Sequence, residues 1–389
     1  MDSEELLKIV ARDEDSRHQF KADVTNANSL AAEMVAFSNS GGGQIFIGIN
    51  DNGSIAGLTR EDIGRINQMI SNTASHNVHP PINPYTENMA LQEGLVLIVN
   101  IDAGINKPYQ DNTGAFWVKN GADKRRVTSR EEIQRMFQAS GLIHGDAVPV
   151  RGMTTSDLDI DYFQGFFNKE YGESIENQSV PLTQLLENMS LASNGELNIA
   201  AALLFAKAPY FKLPVFIVKA VSYPGQEIDV SYYIESADLK GKLSDLFQST
   251  LNFMMRNISY IQRQQDVNSL GEPEIPKIVF EELLVNALIH RDYFISSPVR
   301  IFIFSDRIEI ISPGHLPNHL TVENIKKGIS NIRNPILASY ATKVLPYRGL
   351  GSGIRRALNA YPAIDFIDDR EGDIFNVIIR RERQLVIPK

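Results

Sequence analysis

The run Lys277-Ile-Val-Phe-Glu-Glu-Leu-Leu-Val-Asn-Ala-Leu-Ile-His290 decides how the last third of the chain is read. Glu282, Asn286 and His290 recur at i, i+4 and i+8, which lays them along one face of a helix. Ile278, Val279, Leu283, Val285, Leu288 and Ile289 make that helix apolar on more than one side, so it is predicted to be largely buried. A buried carboxylate and carboxamide are costly unless something satisfies them, and a hydrated divalent cation with phosphate oxygens would do so. A polar face turned to solvent, or an asparagine bonded to neighbouring backbone, reads the same spacing without any ligand.

Downstream follow His290-Arg291-Asp292-Tyr293, a hairpin pattern over 299–311, Ser312-Pro313-Gly314, Arg333-Asn334-Pro335 and Gly349-Leu350-Gly351-Ser352-Gly353-Ile354. With the helix, these motifs resemble the GHKL-type (Bergerat) ATP-binding domain over about residues 275–382, in the form found in RecG-helicase-related transcriptional regulators. The resemblance implies a C-terminal α/β sandwich holding ATP and Mg2+ between helices and one sheet face. It implies that Glu282 is the water-activating carboxylate and Asn286 the magnesium-binding amide. Gly349, Gly351 and Gly353 fall in the phosphate loop, and His290, Asp306 and Gly314 complete the nucleotide-binding set. Glycines suit a phosphate loop because backbone N–H groups approach an anion most closely where no Cβ intrudes, and a helix amino terminus favours negative charge. The family's adenine-binding aspartate, two residues before a glycine, is replaced by Ser312. ATP binding is therefore expected ahead of adenine selectivity or turnover. No Gly-x4-Gly-Lys-Ser/Thr run is present, which excludes a P-loop motor. His290-Arg291-Asp292 mimics a kinase catalytic loop, but Ser297 stands where that loop needs an asparagine and no Asp-Phe-Gly follows.

Towards the amino terminus, Asp13-Glu14-Asp15-Ser16-Arg17-His18-Gln19-Phe20-Lys21 precedes a helical pattern over 29–37, Asn39-Ser40-Gly41-Gly42-Gly43, a strand over 44–49 and the turn Asn50-Asp51-Asn52-Gly53. A strand at 115–119, Lys124-Arg125-Arg126 and a helix over 129–138 close the region. In order and spacing these resemble the Schlafen/Alba-type nucleic-acid-binding domain over about residues 10–140. In Schlafen proteins the fold can be an RNA endonuclease that uses two glutamates and an aspartate. The resemblance puts Glu14, Gln19 and Asp51 at those places. A neutral amide at Gln19 removes one carboxylate from a hard-cation site, so these three read as a vestigial nuclease set and cutting is not expected. Binding DNA or RNA is the stronger expectation, through Lys107, Lys119, Lys124, Arg125, Arg126 and Arg130, with Tyr109, Phe116 and Trp117 nearby to stack on bases. A solvated charged face is the ordinary alternative. His76 and His79 flank a Pro80-Pro81 loop and carry little weight as a metal pair.

The 389 residues are too many for one ordinary core. The reading is an α+β multidomain chain: a Schlafen/Alba-like α/β domain over 1–145, an α/β middle region over 146–270 packed with the nucleotide domain, and the GHKL-like sandwich over 271–389. Residues 145–151 read as a linker. In the middle region 198–205 and 239–260 read as helices and 215–221 and 228–234 as strands, with no catalytic motif. Relatives often carry a winged helix after the nucleotide domain; only Gln384–Lys389 follow Arg383 here, so promoter recognition by such an element is not expected. There is no cysteine, which removes disulfides, thiolate metal sites and a cysteine nucleophile together. The acidic Met1-Asp2-Ser3-Glu4-Glu5 start is unlike a secretory signal, and Lys207, Pro209, Lys212, Pro214 and Lys219 break the apolar stretch over 199–221, so a cytoplasmic, non-membrane protein is expected. A net charge of −9 argues against indiscriminate coating of nucleic acid and requires a local basic patch. The functional expectation is a nucleotide-gated, nucleic-acid-binding regulator. The rivals are a metal-dependent RNA or tRNA endonuclease and a nucleotide-sensing scaffold that binds no nucleic acid. A homo-oligomer is a further expectation, because such proteins often use two-fold symmetry.

Overall fold

The computed structural model describes residues 3–229, 231–261, 271–317, 320–347, 349 and 351–381, apart from the side chains of Glu131 and Ala139. The chain divides into two compact units, Met1–Leu142 and Ile143–Lys389. Both are α+β, as the sequence predicts. Among the described residues no helix is long and apolar enough to cross a membrane.

The first unit is built on a four-stranded sheet in the order His18–Lys21, Gly43–Ile47, Gly94–Ile101, Tyr85–Leu91. The first two strands are parallel and the remaining pairs antiparallel. The Ala27–Asn39 helix makes the parallel crossover; Asn26 caps its start by accepting from the N–H groups of Asn28 and Ser29. Its end is closed by Gly42, which at φ +75° bonds back from its N–H to the Phe37 carbonyl. Alternation along the strands sorts the core. Ile45 and Ile47 face the Ala27–Asn39 and Arg60–His76 helices, while Phe46 points the other way towards Leu6 and Val10 of the Ser3–Val10 helix. The hairpin Phe116–Asn120/Asp123–Val127 packs on the Ala27–Asn39 helix, and the Arg130–Ala139 helix follows.

The second unit carries one six-stranded sheet in the order Glu235–Leu239, Val218–Ser222, Val299–Ile303, Arg307–Pro313, Ile374–Arg380, Ile364–Asp369. The strands from the middle of the sequence and those from its end thus share a sheet, joined by parallel pairing of Val218–Ser222 with Val299–Ile303. The Leu243–Arg256 and Lys277–His290 helices pack on this sheet and on each other, and the Gly353–Ala360 helix packs on Lys277–His290.

Three local expectations are corrected. The 145–151 linker is instead part of the second unit: Asp146 is fully buried, and its carboxylate accepts from the Leu337 N–H (2.8 Å) in the first turn of the Pro335–Val344 helix. Among the described residues of 228–234 no strand forms: the Asp229 carboxylate accepts from the N–H groups of Ser231 and Tyr232, and the paired strand begins at Glu235. The long middle helix is shorter, Leu243–Arg256. The Ile160–Tyr171 and Pro335–Val344 helices and the Ile364–Asp369 strand were not anticipated.

Candidate functional site

The Lys277–His290 helix forms over the predicted residues. It is apolar nearly all round, starts after Pro276, and has its last carbonyls satisfied from outside: Asn334 Nδ2 donates to the Ile289 and Arg291 carbonyls (2.8 Å each), and Tyr293 Oη donates to Leu288 (2.8 Å). That anchoring fixes the rotation of the polar stripe. Glu282, Asn286 and His290 line a cleft between this helix and the sheet, with about 1070 Å³ of empty space when its open mouth is included. Ile310, Phe366, Phe375 and Val377 form an apolar floor from three adjacent strands. Gly314, Gly349, Gly351 and Gly353 line the rim.

Three of these glycines leave no room for a side chain, Gly314 among them, where a Cβ would lie 2.6 Å from the Asp292 Cβ. A Cβ on Gly351 would lie 2.4 Å from the Gly328 carbonyl oxygen, and one on Gly353 would lie 2.5 Å from Glu282 Oε2. The start of the Gly353–Ala360 helix is thereby pressed against the Glu282/Asn286 face, its first N–H groups at the cleft.

The structure satisfies the polar stripe from within. Glu282 is only 6% exposed, and Arg356 holds it, with Nε at 2.7 Å and Nη2 at 2.5 Å from Oε1; Arg356 Nη1 also donates to Ser352 Oγ (2.7 Å). Asn286 Nδ2 donates to the Glu282 carbonyl (2.7 Å). The expectation that burial of these groups requires a ligand is thus corrected: an internal guanidinium and one turn of backbone meet the need. Asp306 is corrected as well. It sits in the hairpin turn, paired with Arg307 (3.0 Å), and is not among the residues lining the cleft. Ser312 does line the cleft and donates to the Ala287 carbonyl (3.1 Å), so no carboxylate stands at that place.

Arg356 and Arg333 are the cationic residues that sequence reasoning missed. Arg356 carried a signal: a basic side chain in the first turn of a helix opposes the helix dipole and needs another reason to be there. Arg333 donates to the His315 carbonyl (2.5 Å) and lies 3.9 Å from Asp292.

Burial, helped by the charge of Arg333, pushes His290 down to about 4 from 6.5. The ring is therefore neutral at pH 7, with Tyr347 Oη 3.3 Å from its Nε2. For a depressed histidine the unfolded chain binds the proton first. Its stabilising contribution is whole above about pH 6.5 and is lost as pH falls towards 4. The loss is on the order of 3 kcal/mol. Urea melts between pH 7 and 4 should show wild type losing that much more than His290→Gln; parallel curves would place the proton elsewhere.

A nucleotide fits the residues present: a flat apolar floor, a glycine rim without Cβ atoms, a helix start and two arginines. Among the described residues no group of three or more acidic or histidine side chains could hold a metal, so the protein's own ligands for a cation there are Glu282 and Asn286, to which a nucleotide would add its oxygens.

In the first unit, Glu14 Oε1 accepts from Gln19 Nε2 (2.5 Å) and from the Phe20 N–H (2.6 Å). Lys119 Nζ donates to Gln19 Oε1 (2.9 Å) and to the Ala122 carbonyl. Asp51 lies exposed in its turn and does not join them. An ammonium thus occupies the place beside Gln19. Nearby, Lys124 pairs with Glu33 (2.6 Å), a carboxylate that is 4% exposed and whose Oε2 has no partner among the described residues. Lys107 donates to the Ser40 carbonyl (2.6 Å) and Arg125 pairs with Glu132 (2.6 Å). Burial lowers Lys107 and Lys119 from the usual lysine range. Of the six cationic candidates, only Arg126 and Arg130 are exposed without a partner among the described residues. Of the aromatics expected to stack, Tyr109 is buried, Trp117 Nε1 donates to Asp111 (2.8 Å), and Phe116 packs edge-on against Phe137.

Residues 14–128 match the family model described as "Schlafen, AlbA_2". Residues 296–371 match the one described as "Putative ATP-dependent DNA helicase recG C-terminal". No curated protein matches the chain. Among solved structures, the DIP2311 protein from Corynebacterium diphtheriae is 20% identical, with a TM-score of 0.47, 98% of this chain and 82% of that one being covered. The N-terminal domain of a RecG-related putative ATP-dependent DNA helicase from Nitrosomonas europaea is 21% identical, with a TM-score of 0.24, 32% of this chain and 94% of that one being covered. The chain therefore joins a Schlafen AlbA_2-type region in its first unit to a recG C-terminal-type region in its second.

Proposed function

We propose that the chain is a nucleic-acid-binding regulator gated by ATP, which it takes up with Mg2+ in the cleft of the second unit. One observation carries the nucleotide half: Gly353 is packed against Glu282 so closely that a Cβ would lie 2.5 Å from Oε2, beside the apolar floor of Ile310, Phe366, Phe375 and Val377. Backbone N–H groups at a helix start, with Arg333 and Arg356, suit phosphates. Asn286 Oδ1 accepts no hydrogen bond among the described residues and is a free hard ligand for a phosphate-bound cation. The AlbA_2-type region supports the nucleic-acid half, with Arg126 and Arg130 as contacts. Gating requires that nucleotide bind two conformations with different affinity. The nuclease reading is weaker, because Lys119 sits where a cation would be needed.

Calorimetric titration of ATP with magnesium into wild type and Asn286→Ala tests the nucleotide half. Wild type should bind, and the variant should bind about 10-fold more weakly or worse, equivalent to about 1.4 kcal/mol. Equal affinities would remove Asn286 from the site; no binding to wild type would end the reading.

A further inference from the structure

Glu282 is a buried carboxylate held by one guanidinium. Its side chain is 7% exposed, and the partner in reach is Arg356. Removing one member of a buried pair is far more costly than the pair is worth, because the survivor is left uncompensated. Yet Arg356 is loosely held for such a duty. Its side chain is 32% exposed, and its bonds go to Glu282 Oε1 and to the Ser352 hydroxyl. The helix start on which it stands repels it. Both bonds to Glu282 fall on one oxygen, and Oε2 is turned towards Gly353, on the side of Asn286.

We infer that Arg356 is the resident counter-ion of Glu282, standing in for a divalent cation that arrives with a triphosphate. On binding, cation and guanidinium exchange. The cation takes over the Glu282 and Asn286 oxygens, and the freed guanidinium turns to the phosphates, which match its two-pronged geometry. Every charge stays paired throughout. A triphosphate without metal would attract Arg356 while leaving Glu282 bare, so the cleft discriminates for the metal-bound form. The inference rests on the nucleotide reading above for the incoming anion, but the counter-ion role can be examined without nucleotide.

Thermal melts of the full chain with EDTA, Mg2+ or Mn2+, in the absence of nucleotide, provide the test. Wild type should melt at the same temperature in all three, its carboxylate being already paired. Arg356→Met should melt lower in EDTA and recover with cation, by about 4 °C at ten times the dissociation constant. In Arg356→Met/Glu282→Gln the response should vanish. Should Arg356→Met fail to fold, Arg356→Gln, which keeps a donor for Glu282 but no charge, carries the same comparison. An arginine variant that responds to cation no more than wild type overturns the exchange, as does a wild type that responds equally. ATP titration of wild type separates the two ideas: no ATP binding overturns the nucleotide reading, whereas ATP binding with no cation response in the variants overturns the exchange alone.

Discussion

Gly353→Val is expected to weaken ATP binding by at least about 100-fold, equivalent to about 2.7 kcal/mol. A Cβ at this position meets Glu282 Oε2 at 2.5 Å and Asn286 Nδ2 at 3.4 Å, and valine adds two further methyl groups. Nothing there yields cheaply. Glu282 is tied to Arg356, and Asn286 to its own helix, so the glycine segment must lift away from the face on which phosphates would rest. Overpacking should also cost about 1–3 kcal/mol of stability. Gly165→Ala, in the Ile160–Tyr171 helix where a Cβ meets nothing within 4 Å, is the control and should bind normally. Calorimetry on both variants decides the matter; unimpaired ATP binding by Gly353→Val would remove the glycine segment from the phosphate site.

Lys124→Met should destabilise the first unit by about 3 kcal/mol, the low end for breaking a buried pair because the lysine keeps some exposure. The survivor is Glu33, whose Oε2 already lacks a partner among the described residues and whose Oε1 would lose Lys124. A fall in melting temperature on the order of 10 °C follows for a unit of this size. Glu33→Gln/Lys124→Met should regain most of it. Arg126→Ala/Arg130→Ala, by contrast, removes exposed side chains and should leave the melt unchanged, while lowering by about 2 the steepness with which nucleic-acid affinity falls with salt. Loss of binding in Lys124→Met with an unchanged melt would instead make Lys124 a phosphate contact.

The local elements that carry the cleft were legible because local chemistry sets them. The Lys277–His290 helix has a proline at its start and an unbroken apolar run, and the stripe at i, i+4, i+8 follows from helical geometry alone. What the stripe touches was not legible. That Glu282 meets Arg356, 74 positions away, depends on how two helices pack. Basic residues at 107–130 read as a surface patch because sequence gives charge without partner. Glu33, inside an apolar helix, was the clue to one such partner, since a lone acid among Leu30, Met34 and Phe37 has to find a cation. Asp306 was drawn into the nucleotide set by motif order, but it occupies a turn whose geometry is satisfied by Arg307. The pairing of Val218–Ser222 with Val299–Ile303 lay beyond any local pattern.

That pairing bears on how the second unit can be cut. A piece starting at residue 296, where the recG-type match begins, would keep Val299–Ile303 but strip away the neighbour on its outer side. The main-chain groups along that border would then be bare, on a strand whose Val299, Ile301 and Ile303 belong to the core. Such a border is a template for another copy's backbone, and fibrous self-association is its usual fate. Any excised form of this cleft therefore has to include Val218–Ser222 and Glu235–Leu239, and a cut at Ile143 keeps them with the whole second unit.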